Sequence, residues 1–459
     1  MVQPPTASDV FVSWLPLYHD MGLGTAAGAD IGCSRNEDSD AVYPRASCVA
    51  ILARCGCSCP YHQAGGSVPE LQMKTNCNRG VATVVLAAVK WGKTERLHIG
   101  AATRWSRLFF CRMRGRRQGM LVTKSTLPSE FELVARYFAK LSAGFPGAYG
   151  LRDDAAVISP SAGCELVAKT DAIVGGVDFD ADTPPDLIAR KALRVNLSDL
   201  AGKGAVPRAY LVDLIVPPTV NEEWIAGFAA GLAHDQAEYS IHLIGGDTSS
   251  TSGPITVAVT ALGEVPIGQI IRRGGAQPED QIFVTGTIGD AALGLCVLRG
   301  LLPTLDPASA SFLAHRCQLP QPRVALGPQL VGIASAGMDV SDGLVADLRH
   351  LCTVSKLSAI IETRFIPLSL AAVAAIGDNR QRLVTALTGG DDYEVLFTAR
   401  PEEAVRISAL SRSSGIPITP IGRMTLPSPR DEPGVAVLDD LGEPLHFASE
   451  GWTHFDGNG

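Results

Sequence analysis

The sequence lacks the long apolar run that a membrane-spanning helix requires, because its longest candidate, Val81–Val89, is about half of the ~20 residues needed. It also lacks the basic and then apolar pattern of a secretory signal peptide at its N-terminus. Only 19% of its 459 residues are charged, and the formal net charge of −8 gives no general reason to expect nucleic acid as a partner. These absences predict a cytoplasmic protein with no membrane and no nucleic-acid partner.

Two common nucleotide-binding motifs are absent as well. The nearest approach to a P-loop, AGKGA around Lys203, lacks the Ser or Thr that must follow the lysine. No G-x-G-x-x-G follows a predicted strand. If the protein uses a nucleotide, it therefore belongs to neither of these classes.

Cysteine is scarce in the second part of the chain, since seven of the eleven lie before residue 126. The C-x-C-x-C run at 55–59 differs from the C-x2-C pairs of common structural zinc sites, which argues against zinc. The basic and partly aromatic segment 90–125 could be a nucleic-acid arm, but this region sustains no helical or strand periodicity. We interpret residues 1–125 as an extension that is disordered or wrongly joined, with Met120 as a natural start.

The remainder shows regular periodicity. Leu127–Leu141 is predicted as a helix opened by a capping box of Ser129 and Glu132, and a longer helix is predicted over Pro185–Ala205. Buried-strand patterns alternate with such helices, which is typical of an α/β or α+β protein. We expect two domains, at residues 126–262 and 263–459.

Acidic residues recur in turns that end apolar segments or precede helices. On the helix Pro185–Ala205, Asp199 falls on the apolar face, where a carboxylate is costly unless it is paired or bound to a cation. We expect few cations near these turns, and oxygen-only groups suit hard ions such as Mg²⁺ that are shared with substrate phosphates. The pattern predicts a metal and phosphate site built from LRDDAAV (151–157), KTDAIV (169–174), NLSDL (196–200), GGDTS (245–249), DVSDGL (339–344) and GGDDYEV (389–395).

These turns, with RRGGAQPED, VTGTIGDAALGL and the closing GWTHF, resemble the motifs of the thiamine-monophosphate kinases, in that family's order from residue 127 to 455. The family belongs to the aminoimidazole-ribonucleotide synthetase superfamily, whose members bind ATP without a P-loop. The resemblance implies a two-domain α/β fold of that type and a homodimer in which N-terminal strands pair across the two-fold axis. It also implies phosphoryl transfer from ATP to thiamine monophosphate, with thiamine diphosphate as product.

The resemblance also implies residue roles. It implies direct in-line transfer assisted by several Mg²⁺ ions, with no covalent phospho-enzyme and no single catalytic base. The implied metal ligands are Asp154, Thr170, Asp171, Asp199, Asp247, Asp339 and Asp342. The implied ATP contacts are Gly246, Asp247, Arg273 and Ser341, and the implied substrate contacts are Asp178, Asp391 and Trp452.

Three departures from the family pattern leave alternatives open. Asp178 stands where many members have histidine, Asp391 where glutamate is usual, and Lys169 where a small residue can ligate a metal. A non-catalytic protein that binds nucleotide or thiamine phosphate is therefore an alternative. Another ATP-using member of the superfamily is a second one, although the closing GWTHFDGNG lacks the cysteine of a hydrogenase-maturation dehydratase.

A separate short resemblance lies in the extension. DVFVSWLPLYHDMGLG (9–24) resembles a core motif of the acyl-adenylate-forming ligases. The resemblance ends after these residues, and neither the phosphate loop nor the catalytic lysine region of that fold follows. We therefore expect no adenylating activity from this segment.

Overall fold

The computed structural model describes residues 127–428, 432–447, 449 and 451, together with two short backbone pieces nearer the N-terminus. Those pieces, Arg54–Cys55 and Ala82–Thr83, form a two-residue antiparallel strand pair. The rest of the predicted extension, including the ligase-like segment 9–24, lies outside the described residues, and so does Trp452. Residue contacts divide the chain into two units, Met1–Gln118 and Gly119–Gly459.

The predicted N-terminal helix is present but irregular. Helix α1 (Glu130–Leu133) continues as a π-helical turn to Phe138 and then as a 3-10 turn. The Ser129 backbone N–H donates to Glu132 Oε2 at 3.1 Å, as the capping prediction requires. Leu133 and Phe138 are both buried although they lie five residues apart, and the wider π turn brings them to the same side.

A four-stranded sheet follows. Its strands are β1 (Cys164–Val174), β2 (Val206–Val216), β3 (His242–Ser250) and β4 (Thr256–Pro266), in the spatial order β1-β4-β2-β3. β4 is antiparallel to β1 and β2, whereas β2 and β3 are parallel. Helix α2 (Pro185–Gly202) packs on one face against β1 and β4, and α3 (Glu222–Tyr239) packs beside α2.

A six-stranded sheet occupies the C-terminal half. It consists of β5 (Gln281–Thr285), β6 (Ala336–Asp339), β7 (Ser358–Glu362), β8 (Val395–Ala399), β9 (Ile418–Thr425) and β10 (Val435–Leu438), in the order β10-β7-β9-β5-β8-β6. All its strand pairs are antiparallel except β10 with β7. Its helices are α4 (Asp290–Leu298), α5 (Pro307–Gln318), α6 (Leu344–Ser355), α7 (Leu370–Ile376), α8 (Arg380–Thr388) and α9 (Ala404–Ser414).

The mixed α/β fold class is as predicted. The predicted division at 262/263 stays a prediction, and β4, which contains it, continues to Pro266. Among the described residues, no helix combines the length and apolar character needed to cross a membrane.

Helix α2 connects the two sheets, because it also contacts β6 and β8. Gly202 lies so close to β6 that a Cβ there would stand 2.9 Å from the backbone nitrogen of Asp339. The helix begins at Pro185 as predicted but ends at Gly202 rather than at Ala205. The left-handed Gly204 (φ +73°) ends it, which is a common way for a helix to stop.

Candidate functional site

Carboxylates from three elements meet where α2 lies between the two sheets. Lys169 and Asp171 are two residues apart on β1 and therefore share one face of that strand. Lys169 Nζ lies 3.1 Å from Asp171 Oδ1 and 2.8 Å from Asp199 Oδ2, and Asp199 belongs to the last turn of α2. Asp339, the last residue of β6, lies close enough for the charge of Asp199 to act on it. These four residues form the central cluster, which unites three of the predicted metal ligands.

Asp339 is the most constrained member of the central cluster. Its side chain is buried, and its Oδ2 atom has no hydrogen-bond partner among the described residues. Burial and then the charge of Asp199 raise the pKa of Asp339 to about 7, while a hydrogen bond with Ser198 opposes the shift. A buried carboxylate oxygen without a partner is costly, so this atom indicates a cation as its missing partner.

Two lysines moderate the negative charge of the central cluster. Although burial opposes it, Asp199 and then Asp171 raise the pKa of Lys169, which keeps its ammonium charged. Burial raises the pKa of Asp171 in spite of the nearby Lys169. Lys203 donates from Nζ to the Gly337 carbonyl at 2.8 Å, and burial lowers the pKa of Lys203 to about 8.

The DVSDGL turn is held from inside by a residue that the sequence analysis missed. The backbone N–H groups of Ser341, Asp342 and Gly343 donate to Asp347 Oδ2 at 2.9, 3.0 and 3.2 Å. Burial and then the charge of Asp342 raise the pKa of Asp347 to about 8. The position of Asp347 in the first turn of α6 was the available signal, because carboxylates favour helix N-termini. Asp347 thus fixes the turn that presents Ser341 and Asp342.

The GGDDYE segment lies against this turn. Asp391 has a left-handed backbone (φ +63°), and its N–H donates to the Ser341 carbonyl at 2.8 Å. Its Oδ2 accepts from Lys191 Nζ at 2.9 Å, and its Oδ1 accepts from the Tyr393 hydroxyl at 3.2 Å. Although burial opposes it, Asp391 raises the pKa of Lys191 above its usual value. The predicted substrate residue Asp391 is thus connected directly to the predicted nucleotide residue Ser341.

The other acids of this segment have structural partners. Asp392 accepts from the N–H groups of Gly289 and Ala291 at 2.7 and 3.2 Å, at the start of α4. Glu394 is fully buried and pairs with Arg316 and Arg323. The expectation of few cations near the acidic turns was therefore wrong, because the partners come from distant segments that folding brings together.

Beside Lys191 and Asp391 lies a cleft that we call the substrate cleft. It is also lined by Asp178, Phe179 and Arg299, so two of the three predicted substrate residues border it. The Asp178 carboxylate accepts from the Val174 N–H at 2.7 Å, while its carbonyl accepts from Lys191 Nζ at 2.9 Å. The side chain of Asp178 therefore stabilises its own loop, and the backbone carbonyl of Asp178 orients Lys191.

Three further predicted residues border a second cleft, at the β3 edge of the first sheet. Asp154 and the segment Gly245–Thr248 line it, so Asp247 and Gly246 are together there with Asp154. A Cβ on Gly246 (φ +147°) would stand 1.9 Å from the Val212 carbonyl oxygen, so only glycine fits. Asp213, which the sequence analysis missed, pairs in register with Asp247, and burial and then Asp247 raise its pKa.

Two predicted residues stand apart from the central cluster. Thr170 projects from the opposite face of β1 to Asp171, and its Oγ1 donates to the Val259 carbonyl at 3.2 Å. Arg273 is exposed, but its charge acts on Lys203. The described structure therefore shows three groups of predicted residues: the central cluster, the substrate cleft with its adjoining turn, and the second cleft.

The donor set of the central cluster fits Mg²⁺. It offers carboxylate oxygens from β1, α2 and β6, and the Asp339 Oδ2 atom has no other partner in the described region. Mg²⁺ prefers oxygen ligands and usually shares them with waters and substrate phosphates. Residues that contact such an ion need not supply a full coordination sphere.

Two family models match the chain in succession. The AIR synthase related protein N-terminal domain matches residues 152–265, and the AIR synthase related protein C-terminal domain matches residues 277–428. The thiamine-monophosphate kinase of Escherichia coli K12 is 38% identical over 327 residues, 71% of this chain and 98% of that protein. The thiamine-monophosphate kinase of Caulobacter vibrioides is 40% identical over 298 residues, 64% of this chain and 84% of that protein.

Solved structures show the same likeness. The thiamine-monophosphate kinase of Stenotrophomonas maltophilia has 39% identity and a TM-score of 0.61, and the match covers 69% of this chain and 98% of that one. A structure described as AaThiL complexed with AMPPCP and TMP has 29% identity and a TM-score of 0.56, with 71% and 97% covered.

Proposed function

Because the chain belongs to the thiamine-monophosphate kinase family of AIR synthase related proteins, we propose that it phosphorylates thiamine monophosphate with ATP. The products are ADP and thiamine diphosphate. The observation that carries this proposal is the meeting of Asp171, Asp199 and Asp339 from three separate elements, with the DVSDGL and GGDDYE turns joined beside them. Carboxylates gathered in this way suit an enzyme that must hold two polyanions together.

Asp171, Asp199 and Asp339 would hold Mg²⁺ in the central cluster, and Asp154 and Asp247 would hold a further ion at the second cleft. Bound Mg²⁺ would offset the repulsion between the phosphates of the two substrates and stabilise the charge that develops in the transfer. The protein's own contribution is positioning, since the acceptor phosphate is already an anionic nucleophile. No strong base is needed, and we assign none.

The substrate cleft has charges that match thiamine monophosphate. The substrate combines a cationic thiazolium ring with an anionic phosphate, and the cleft presents Asp391 beside Lys191, which is almost fully buried. We assign Lys191 and Arg299 to the phosphate and Asp391 to the cationic ring. Asp178 supports this arrangement through its contact with Lys191 rather than through its carboxylate.

The assay that tests the function uses purified full-length chain, ATP, Mg²⁺ and thiamine monophosphate. We expect thiamine diphosphate and ADP in equal amounts, and no product after EDTA removes the metal. Chromatography of the thiamine phosphates measures both. If the ligands bind but no thiamine diphosphate forms, the protein is a binding protein and the kinase assignment is wrong.

We also propose that the protein is a homodimer through the first sheet. β1 is an edge strand of that sheet, and the face of β1 away from α2 carries the exposed residues Leu166, Ala168, Thr170 and Ala172. Exposed edges and apolar faces of this kind are commonly covered by another chain. A second copy offers the same edge and face in return, as a two-fold interface requires.

The dimer is tested by Leu166→Glu, which places a charge on the proposed interface. We expect this variant to elute as a monomer in size-exclusion chromatography with light scattering, while the wild type elutes as a dimer. Leu370→Glu is the matched control, because Leu370 is 90% exposed on α7, away from this face. A wild type that is monomeric, or a Leu166→Glu variant that remains dimeric, would remove the proposal.

A cytoplasmic location is part of the same proposal. The four described cysteines, Cys164, Cys296, Cys317 and Cys352, are free thiols, as is usual in a reducing compartment.

A further inference from the structure

Lys169 occupies an unusual position among the predicted metal ligands. Its Nζ atom lies within ion-pair distance of two carboxylates, Asp171 and Asp199, that come from different elements. The lysine side chain is 30% exposed and that of Asp199 is 14% exposed, so the contact is shielded from bulk water. An ammonium group in this place does what a bridging cation would do, because it joins β1 to the last turn of α2.

Resting on the proposed function, we infer that the Lys169 ammonium takes the place of one divalent ion between Asp171 and Asp199. The enzyme then needs one metal ion fewer per active site than it would with a small neutral residue at position 169. Lys169 is a positioning residue in this scheme. It holds two ligands in a fixed relation and leaves Asp339, with its unpartnered Oδ2 atom, to the metal.

Charge and geometry both support this inference. The three carboxylates of the central cluster bear three formal negative charges, of which Lys169 offsets one. Lysine is a compact point charge with three donors, and it can therefore contact two carboxylates at once. The second nearby lysine, Lys203, already donates to the Gly337 carbonyl, so within the described part of the chain Lys169 is the cation that contacts this pair directly.

The test counts bound metal rather than turnover. The metal-free full-length protein, with the non-hydrolysable analogue AMPPCP present, is titrated with Mn²⁺ while electron paramagnetic resonance measures the free ion. We expect Lys169→Ser to bind one more Mn²⁺ per chain than the wild type. Lys169→Arg, which keeps the positive charge, is expected to bind the same number as the wild type. An equal ion count in wild type and Lys169→Ser would overturn the inference.

Two controls keep the result interpretable. Lys169→Gln retains much of the side-chain length without the charge, and we expect it to gain one ion as Lys169→Ser does. Lys140→Ser removes a charge from an exposed lysine of the 3-10 turn Ala139–Ser142, and we expect no change in the ion count. A gain of one ion in Lys140→Ser as well would overturn the inference, because the gain would then reflect net charge alone.

Thermal unfolding provides a second readout. In EDTA, Lys169→Ser is expected to unfold at a lower temperature than the wild type, because Asp171 and Asp199 then repel each other. Mn²⁺ should stabilise this variant more than it stabilises the wild type. If the wild type makes thiamine diphosphate and the ion counts do not differ, only the role of Lys169 fails. If the wild type makes no product, the proposed function itself fails.

Discussion

Replacement of Asp339 by asparagine is expected to lower kinase turnover by about three orders of magnitude while the fold stays intact. The substitution preserves shape but removes the negative charge from the buried residue whose Oδ2 atom has no hydrogen-bond partner in the described structure. The amide can keep the hydrogen bond with Ser198 through its oxygen. What is lost is the charge that would hold a metal ion next to the transferred phosphoryl group.

The same substitution should not destabilise the metal-free protein. Asp339 is buried beside Asp199, and a buried charge without full compensation is costly, so a neutral side chain relieves part of that cost. We therefore expect an unfolding temperature in EDTA at or above that of the wild type, and a smaller increase on addition of Mg²⁺. Steady-state kinetics and thermal unfolding measure the two effects.

The matched control is Asp378→Asn, since Asp378 is exposed in the turn before α8. That variant should retain wild-type turnover and the wild-type response to Mg²⁺. Turnover within threefold of the wild type in Asp339→Asn would show that Asp339 does not hold a catalytic metal. A large loss of stability in the same variant would show that its charge is compensated within the fold.

The second large effect is expected from Glu394→Ala, which should lower the free energy of unfolding by about 3–5 kcal/mol. Glu394 is fully buried and accepts hydrogen bonds from Arg316 Nη2 at 3.0 Å, Arg323 Nε at 2.6 Å and Thr285 Oγ1 at 2.7 Å. Removing it leaves two largely buried guanidinium groups without their carboxylate. Denaturant unfolding followed by circular dichroism measures the loss.

Two further variants serve as comparisons for Glu394→Ala: Glu394→Gln removes only the charge, and Glu402→Ala is an exposed control. Glutamine keeps the shape of Glu394 but not its charge, so we expect a smaller loss of stability than with alanine. Glu402 is exposed in the turn Pro401–Glu403, and its replacement should change the free energy of unfolding by less than about 0.5 kcal/mol. If Glu394→Ala and Glu402→Ala are equally stable, the arginine pairs contribute no stability.

Some local features of the fold could be predicted from the sequence. The start of α2 followed from Pro185 and the periodicity after it. Asp199, which was predicted on the apolar side of this helix, has a largely buried side chain that pairs with Lys169. The π-helical irregularity of α1 could not be predicted from the sequence. The five-residue spacing of Leu133 and Phe138 indicates a wider turn only once both side chains are known to be buried. The end of α2 was also misplaced, since it depends on the conformation of Gly204.

The candidate site could be predicted from the sequence only in part. Its acidic turns are contiguous in sequence and carry the family resemblance, so the sequence alone determined the residue types, their order and the expected chemistry. The pairing of Lys169 with Asp199, of Lys191 with Asp391 and of Arg323 with Glu394 was decided by the tertiary structure. The reason is physical: the energy of an ion pair depends on distance and burial, and the partners stand 30, 200 and 71 residues apart along the chain until the fold brings them together.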